Sequence, residues 1–305
     1  MTCLLQVSDP HFGTEQPQVV AALERLAEAQ RPDVLVLSGD ITQRATRDQF
    51  ASARRFVERL GVPAGLAVPG NHDIPLYALG TRLFDPYSRY REAFGDELEP
   101  VVDLPDCLLI GVNCTRWYRH ENGEVSREQI ERVAARLAQP IEGSAPGQPS
   151  HRLRIVVLHQ PVAVTRPKDI PNLLVGREHA VRRWAEAGAD LILGGHIHLP
   201  YVLSLERSFD RLPRKVWCVQ AGTAVSSRVR ADAPNSVNLI RPMPLAARSE
   251  ADGSPGLQPA GGPAVRRCTV ERWDFSTATG GFERVGTHAL DLTLDRAPAA
   301  AMHGA

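Results

Sequence analysis

The sequence predicts an α/β fold in which a second, more β-rich sheet packs on the first. Two observations predict it. Over the first 200 residues, short apolar runs alternate with segments whose apolar residues recur every 3.6 positions. Beyond residue 200 the texture changes to cleanly alternating strands. At 305 residues the chain is long enough for one large α/β domain or two ordinary ones.

The elements follow in order. Apolar runs stand at 2–8, 33–39, 64–70, 106–113, 154–160 and 190–196, each bounded by turn residues. Near-continuous hydrophobicity over so short a length fits strands covered on both faces. Between them, Val19, Leu23 and Leu26 share one helical face, and Phe50, Ala53, Phe56, Val57 and Leu60 share the next. Thr46 with Gln49, and Ser126 with Gln129, read as capping boxes, and 177–187 reads as a helix closed by Gly188. Strands are expected again at 215–222, 236–241, 265–275 and 282–292. The stretches 139–151 and 242–264 are rich in Gly, Pro and Ala and cannot bury enough apolar surface to order strongly. They read as flexible insertions in a single domain over 1–295, with 296–305 as a disordered tail.

Lys plus Arg equals Asp plus Glu at 35 each, so bulk electrostatics argue against a nucleic-acid partner. Cys3, Cys107, Cys114, Cys218 and Cys268 are odd in number and lack C-x-x-C spacing, against a disulfide framework or a zinc knuckle. They fit buried thiols in a reducing compartment. The opening "MTCLLQVSDP" lacks the basic and apolar regions of a signal peptide. No window reaches the ~18 apolar residues of a membrane span. A cytoplasmic location without a membrane partner is expected.

The chemistry collects at the carboxyl ends of the early strands. Asp9-Pro10-His11 follows the first, Gly39-Asp40 the second, and Gly70-Asn71-His72-Asp73 the third. His159 ends the fifth run, and Gly194-Gly195-His196-Ile197-His198 ends the sixth. Each piece alone is weak: D-x-H and H-x-H occur in ordinary loops, and an Asp after Ser-Gly is commonly a turn residue. Their conjunction is not weak, because open α/β sheets bind ligands outside the carboxyl ends of their strands. Glycines at 39, 70, 194 and 195 let the backbone turn tightly there. Pro10 rigidifies the first loop without removing a ligand. The stretch 221–240 brings Thr223, Arg228, Arg230 and Asn235 within reach, either as phosphate contacts or as a solvated loop face. His120, His151, His179, His288 and His303 sit among charged or loop residues and read as solvated.

The order D-x-H, G-D, G-N-H-D, H, G-H-x-H resembles the calcineurin-like metallophosphoesterases over residues 3 to 225. Within them it looks most like the bacterial class III phosphodiesterases of the cyclic-AMP type. The resemblance implies a four-layer α-β-β-α sandwich of two mixed β-sheets flanked by helices. It implies two transition-metal ions, with iron and manganese expected ahead of zinc and cobalt. Asp9, His11, Asp40 and His198 fall to one ion; Asp40, Asn71, His159 and His196 fall to the other, with Asp40 bridging. His72 then faces the substrate, binding the phosphoryl group or protonating the leaving oxygen, while Asp73 orients its imidazole.

The donor chemistry agrees, since a carboxylate can bridge two cations, an amide oxygen is a neutral ligand and imidazole suits these metals. Ions roughly 3.5–4 Å apart would clamp phosphoryl oxygens and lower the pKa of a shared water, producing the attacking hydroxide. The implied function is a phosphodiesterase acting on a small diester of the cyclic-nucleotide or glycerophosphodiester type, with a homodimer left open. The alternative is a phosphomonoesterase or nucleotide pyrophosphatase with the same core. A nuclease fits the charge balance poorly. A non-catalytic scaffold would be expected to have lost a ligand or His72, and neither is lost.

Overall fold

In the computed structural model, the described residues are 1–76, 78–119, 121–139, 149–150, 152–230, 232–243 and 266–296. Most of 139–151, 242–264 and 296–305 therefore lies outside the described residues, as do His120, His151 and His303. β1 (Leu4–Val7), α1 (Pro17–Gln30), β2 (Val34–Ser38), α2 (Arg47–Leu60) and β3 (Ala64–Val68) open the chain. After a single 3-10 turn at Asn71–Asp73 come α3 (Leu79–Phe84), α4 (Ser88–Phe94), β4 (Val101–Asp103), β5 (Cys107–Gly111) and α5 (Arg127–Leu137). β6 (Pro149–Ser150), β7 (Leu153–Val157), α6 (Arg177–Ala187), β8 (Leu191–Gly194), β9 (Tyr201–Ser204) and β10 (Trp217–Gln220) follow. β11 (Ser236–Pro242), β12 (Arg266–Ser276), β13 (Gly281–Leu292) and β14 (Asp295–Arg296) complete the described residues.

Two six-stranded mixed sheets result, ordered β13-β12-β11-β1-β2-β3 and β4-β5-β7-β8-β10-β9. β1, β2 and β3 run parallel, as do β5, β7, β8 and β10, and the remaining neighbours pair antiparallel. The apolar runs work as their continuity predicts. Along β2, Val34 and Val36 face the second sheet, where they join Leu109, Ile155, Val157, Leu191 and Leu193. Leu35 and Leu37 point the other way, into Leu23, Leu26, Phe50 and Phe56 of α1 and α2. On the far side, Leu108, Ile110, Val156 and Ile192 meet Ile130, Ala134, Val181 and Trp184 of α5 and α6. Successive side chains of a strand point to opposite faces, so a strand between two apolar layers must be apolar throughout. The four-layer α-β-β-α sandwich is thus the observed architecture.

Three details differ from the sequence reading. The two sheets do not divide near residue 200. β4 and β5 already belong to the second sheet, β10 extends it parallel to β8, and β11 crosses back to pair antiparallel with β1. Alternation records which faces are apolar, and says nothing of which strand lies alongside. The Thr46 capping box is half formed: Thr46 accepts from the Gln49 amide at 3.3 Å, but the Gln49 side chain accepts from Arg44 N instead. The Ser126–Gln129 box is complete. The third difference is the short pieces α3, α4, β4 and β9, which span too few residues to show a period.

At the amino end of β8, away from the loops that carry the expected ligands, Asp190 ties the sheets together. It is fully buried and accepts from Arg214 at 2.8 Å and from both terminal nitrogens of Arg266 at 2.7 and 2.6 Å. Arg266 opens β12 in the first sheet, so this ion pair spans the sandwich. Asp190→Ala removes the carboxylate that two buried guanidiniums share, and should destabilise the protein by about 3–5 kcal/mol. Denaturant unfolding will read this directly. A variant within about 1 kcal/mol of wild type would show the clamp to be dispensable.

Candidate metal centre

The site is built from the loops that leave β1, β2, β3, β7 and β8. Five of the eight non-glycine residues with positive φ among the described residues are here: Asp9 (49°), His11 (43°), Asp40 (48°), His196 (70°) and His198 (53°). Left-handed backbone costs an L-residue about 1–2 kcal/mol, so it persists only where surrounding bonds over-determine it. They do so here. Asp9 N donates to Gly39 O, His11 N to Asp40 O and Gly195 N to His159 O, lacing the loops of both sheets together. Gly39, at φ +90°, lies against the His159 ring, which a Cβ would meet at 2.4 Å. Gly70 sits so close to Asp40 that a Cβ would lie 2.1 Å from its nitrogen. Gly39 is demanded by its backbone conformation and by close approach, Gly70 by close approach alone.

The side chains converge. His11 Nε2 lies 3.0 Å from His198 Nε2, 3.8 Å from Asp9 Oδ1 and 3.7 Å from Asp40 Oδ2. His198 Nε2 is 3.3 Å from Asp9 Oδ1, and His159 Nε2 is 3.3 Å from Asp40 Oδ1. The nitrogen and oxygen atoms of Asp9, His11 and His198, and those of Asp40, His159 and His196, form two groups spanning no more than 4.8 Å, as do those of His11, Asp40 and His72. Asn71 stands in the turn packed against Asp40, whose Oδ1 accepts from His72 N at 2.8 Å.

Main-chain and hydroxyl groups aim these donors. The Ser38 carbonyl accepts from His159 Nδ1 at 2.9 Å, and the Arg228 carbonyl from His198 Nδ1 at 2.5 Å. Each bond fixes the ring with its Nε2 turned toward the carboxylates. Ser8 Oγ donates to Asp9 at 2.6 Å, and His196 N donates to the same carboxylate.

Electrostatics set the charge of each group. Burial, above all, pushes His11 down to about 3 and His196 to about 4, so both rings are neutral donors near pH 7. Burial opposes the charge of Asp9, yet His198 and His159 hold it down to about 2; Asp40, with His159 beside it, lies well below the usual carboxylate range. Burial would likewise neutralise His159, but Asp40 and Asp9 lift it to about 10. The two carboxylates therefore draw positive charge to this point, a demand that a bound cation answers. At this centre three buried side-chain atoms of the described residues make no hydrogen bond: Asn71 Oδ1, His159 Nε2 and His196 Nδ1. Buried polar atoms are normally paired, and these three sit on residues grouped around Asp40. An amide oxygen and two imidazole nitrogens left without partners beside a carboxylate fit a transition metal.

All seven residues expected as ligands are thus brought to one place, and His72 lines it. Asp73 is a correction. It does not orient the His72 ring: its buried carboxylate accepts from Ile41 N, Thr42 N, Thr42 Oγ1 and Gly70 N, which pins the second ligand loop to the third. Burial and the nearby Asp40 raise it to about 6. The ring of His72 instead donates from Nδ1 to the Gln43 carbonyl at 2.9 Å. Of the four residues expected from the returning loop, only Arg228 brings its side chain into the site. Arg230 pairs with Asp169, while Thr223 and Asn235 hold the loop's own backbone. Gln43 was missed. Its one sequence signal is its place in the polar run Thr42-Gln43-Arg44, separated from Asp40 by Ile41, which resembles any solvated loop. His179 and His288 are exposed, and all five cysteines are buried and free, as expected.

The profile of the family described as calcineurin-like phosphoesterase matches residues 4–200. Among curated relatives, a probable cyclic nucleotide phosphodiesterase of Synechococcus sp. is 27% identical over 199 residues, covering 61% of this chain and 65% of its own length. A probable glycerophosphodiester phosphodiesterase of Arcobacter nitrofigilis is 25% identical over 170 residues, covering 55% and 57%. A probable cyclic nucleotide phosphodiesterase of Rhodococcus erythropolis is 26% identical, covering 64% of each. The chain thus spans less than two thirds of the length of these relatives. Among solved structures, a dimetal phosphatase from Danio rerio shares the fold at a TM-score of 0.57 and 12% identity, covering 96% of this chain and 99% of its own. A purple acid phosphatase from yellow lupin does so at 0.60 and 11%, covering 95% and 53%. With its complete D-x-H, G-D, G-N-H-D, H and G-H-x-H series at one buried centre, the chain belongs to the calcineurin-like phosphoesterases, a family of metal-dependent hydrolases built around a dinuclear centre.

Proposed function

We propose that this protein is a dinuclear-metal phosphodiesterase acting on a small diester of the cyclic-nucleotide or glycerophosphodiester type. The observation that carries the reading is the group of unpartnered buried donors around Asp40, beside a second group made by Asp9, His11 and His198. The names of the relatives support the diester class. Asp9, His11, Asp40 and His198 hold one ion, and Asp40, Asn71, His159 and His196 hold the other. A donor set of imidazole, carboxylate and amide without thiolate suits iron or manganese, and accepts zinc or cobalt.

When bound, two such ions supply Lewis acidity toward the phosphoryl oxygens and an activated water at neutral pH. The chain's own residues do the rest. Arg228 and Ser38 carbonyls fix the two imidazole tautomers, and Asp73 fixes the loops. His72 keeps its Nδ1 proton on the Gln43 carbonyl, so Nε2 is the atom left to face the substrate, and a second proton taken there from solvent is the one passed to the leaving oxygen.

Elemental analysis of the reconstituted protein should find about two ions per chain, and Asp40→Ala should lose both metal and turnover. Near wild-type activity in Asp40→Ala would place the centre elsewhere. His72→Ala should retain its metals and lose ~10²–10⁴ in rate on an alkyl or nucleotide diester, whose leaving oxygen needs a proton. It should lose far less on a nitrophenyl diester, whose leaving group does not; equal losses on both would make His72 a phosphate binder. Wild type should also prefer bis-nitrophenyl phosphate to nitrophenyl phosphate. The reverse preference would favour a phosphomonoesterase.

A further inference from the structure

Arg228 is a guanidinium at the rim of the metal centre whose side-chain partners are an amide and two imidazoles. Its Nη1 lies 2.9 Å from Gln43 Oε1, 3.2 Å from His72 Nε2 and 3.4 Å from His11 Nδ1. Among the described residues no carboxylate pairs with it. Its neighbour Arg230, two positions on, shows the ordinary alternative, a 3.0 Å pair with Asp169 and a bond to the Ile197 carbonyl. Arg82, on the other side of His72, is held by the carbonyls of Pro75 and Arg119.

The backbone that carries Arg228 is anchored. Ala224 N donates to Ser8 O, Gln16 N to Val225 O and Ser227 N to Thr14 O, and Asn235 Nδ2 donates to Ser226 O at 2.7 Å. Ala224, Val225 and Ser226 are fully buried. A rigid strap that leaves an arginine fork without a counter-anion, next to a ligand histidine and the His72 Nε2, prepares a place for an anion to arrive. Positive charge with its geometry already fixed is also the kind that stabilises charge developing in a transition state.

We infer that Arg228 is a substrate-binding residue that donates to a non-bridging oxygen of the phosphoryl group under attack. The inference rests on the phosphodiesterase reading and deepens it. It assigns to this chain a recognition element for the phosphate anion, distinct from the metal ligands.

Arg228→Met removes the fork while the main-chain carbonyl that accepts from His198 stays in place, and Arg228→Lys keeps the charge alone. In the manganese-loaded protein, Arg228→Met should retain the wild-type metal content. It should lose about 10²-fold in kcat/KM on bis-nitrophenyl phosphate and bind inorganic phosphate about tenfold more weakly by calorimetry. Arg228→Lys should recover part of both. Unchanged phosphate affinity in Arg228→Met would overturn the inference, because a residue that merely steadies His72 leaves that affinity untouched. Loss of a metal ion from Arg228→Met would overturn it too, assigning the guanidinium to the support of His11. A wild type that binds phosphate but turns over no diester would sink the phosphodiesterase reading and leave the calorimetric arm to decide Arg228.

Discussion

The carboxylate of Asp40 is the point on which the loops of both sheets converge at the candidate metal centre. It is all but fully buried, and a lone buried carboxylate would be costly. It is made tolerable by groups from three loops: the His72 amide from the third strand's loop, the His11 ring from the first, and the His159 ring from the other sheet. Packing around it is close: Gly39 and Gly70 leave no room for a side chain, and Asp40 itself takes left-handed backbone.

The molecule separates its two ionic centres along the strand direction. At one end of the sandwich, Asp190 is answered by guanidiniums from both sheets, so its charge is neutralised by the fold itself. At the other end, Asp9 and Asp40 are answered by imidazoles, which are weaker and titratable bases, and three donor atoms are left over. Between them lies the apolar slab of Leu4, Val36, Leu109, Ile155 and Val219, which keeps water from either end. A permanent cation makes a structural clamp. Imidazoles that can give up their protons and an orphaned amide make a receptor for a removable one.

Main-chain carbonyls orient two of the candidate ligand rings, His159 and His198, and the ring of His72. Ser38 O, Gln43 O and Arg228 O each accept a ring N–H, and each belongs to a loop that is hydrogen-bonded to another ligand loop. Peptide carbonyls cannot change protonation or rotamer, so they fix a tautomer more firmly than the carboxylate first expected at Asp73 would. Asp73 is better used as it stands, accepting four donors that hold the loops of β2 and β3 in register.

Much of this was legible in the chain. The both-sided apolarity of β1, β2, β5, β7 and β8 announced buried strands, and the amphipathic periods of α1 and α2 announced their cover. All seven ligand candidates and His72 were readable because each stands at a strand's carboxyl end, where position alone predicts convergence. What the sequence could not reveal depends on contacts between distant segments. Alternation marks faces without naming neighbours, so the crossing of β11 back to β1 stayed hidden. Gln43 and Arg228 look like loop polars until the chain brings positions 185 apart within 2.9 Å. The sequence by itself determined which residues could bind metal, since that is donor chemistry. Only the tertiary structure decided which group holds which, because hydrogen-bond partnership is a matter of distance and direction.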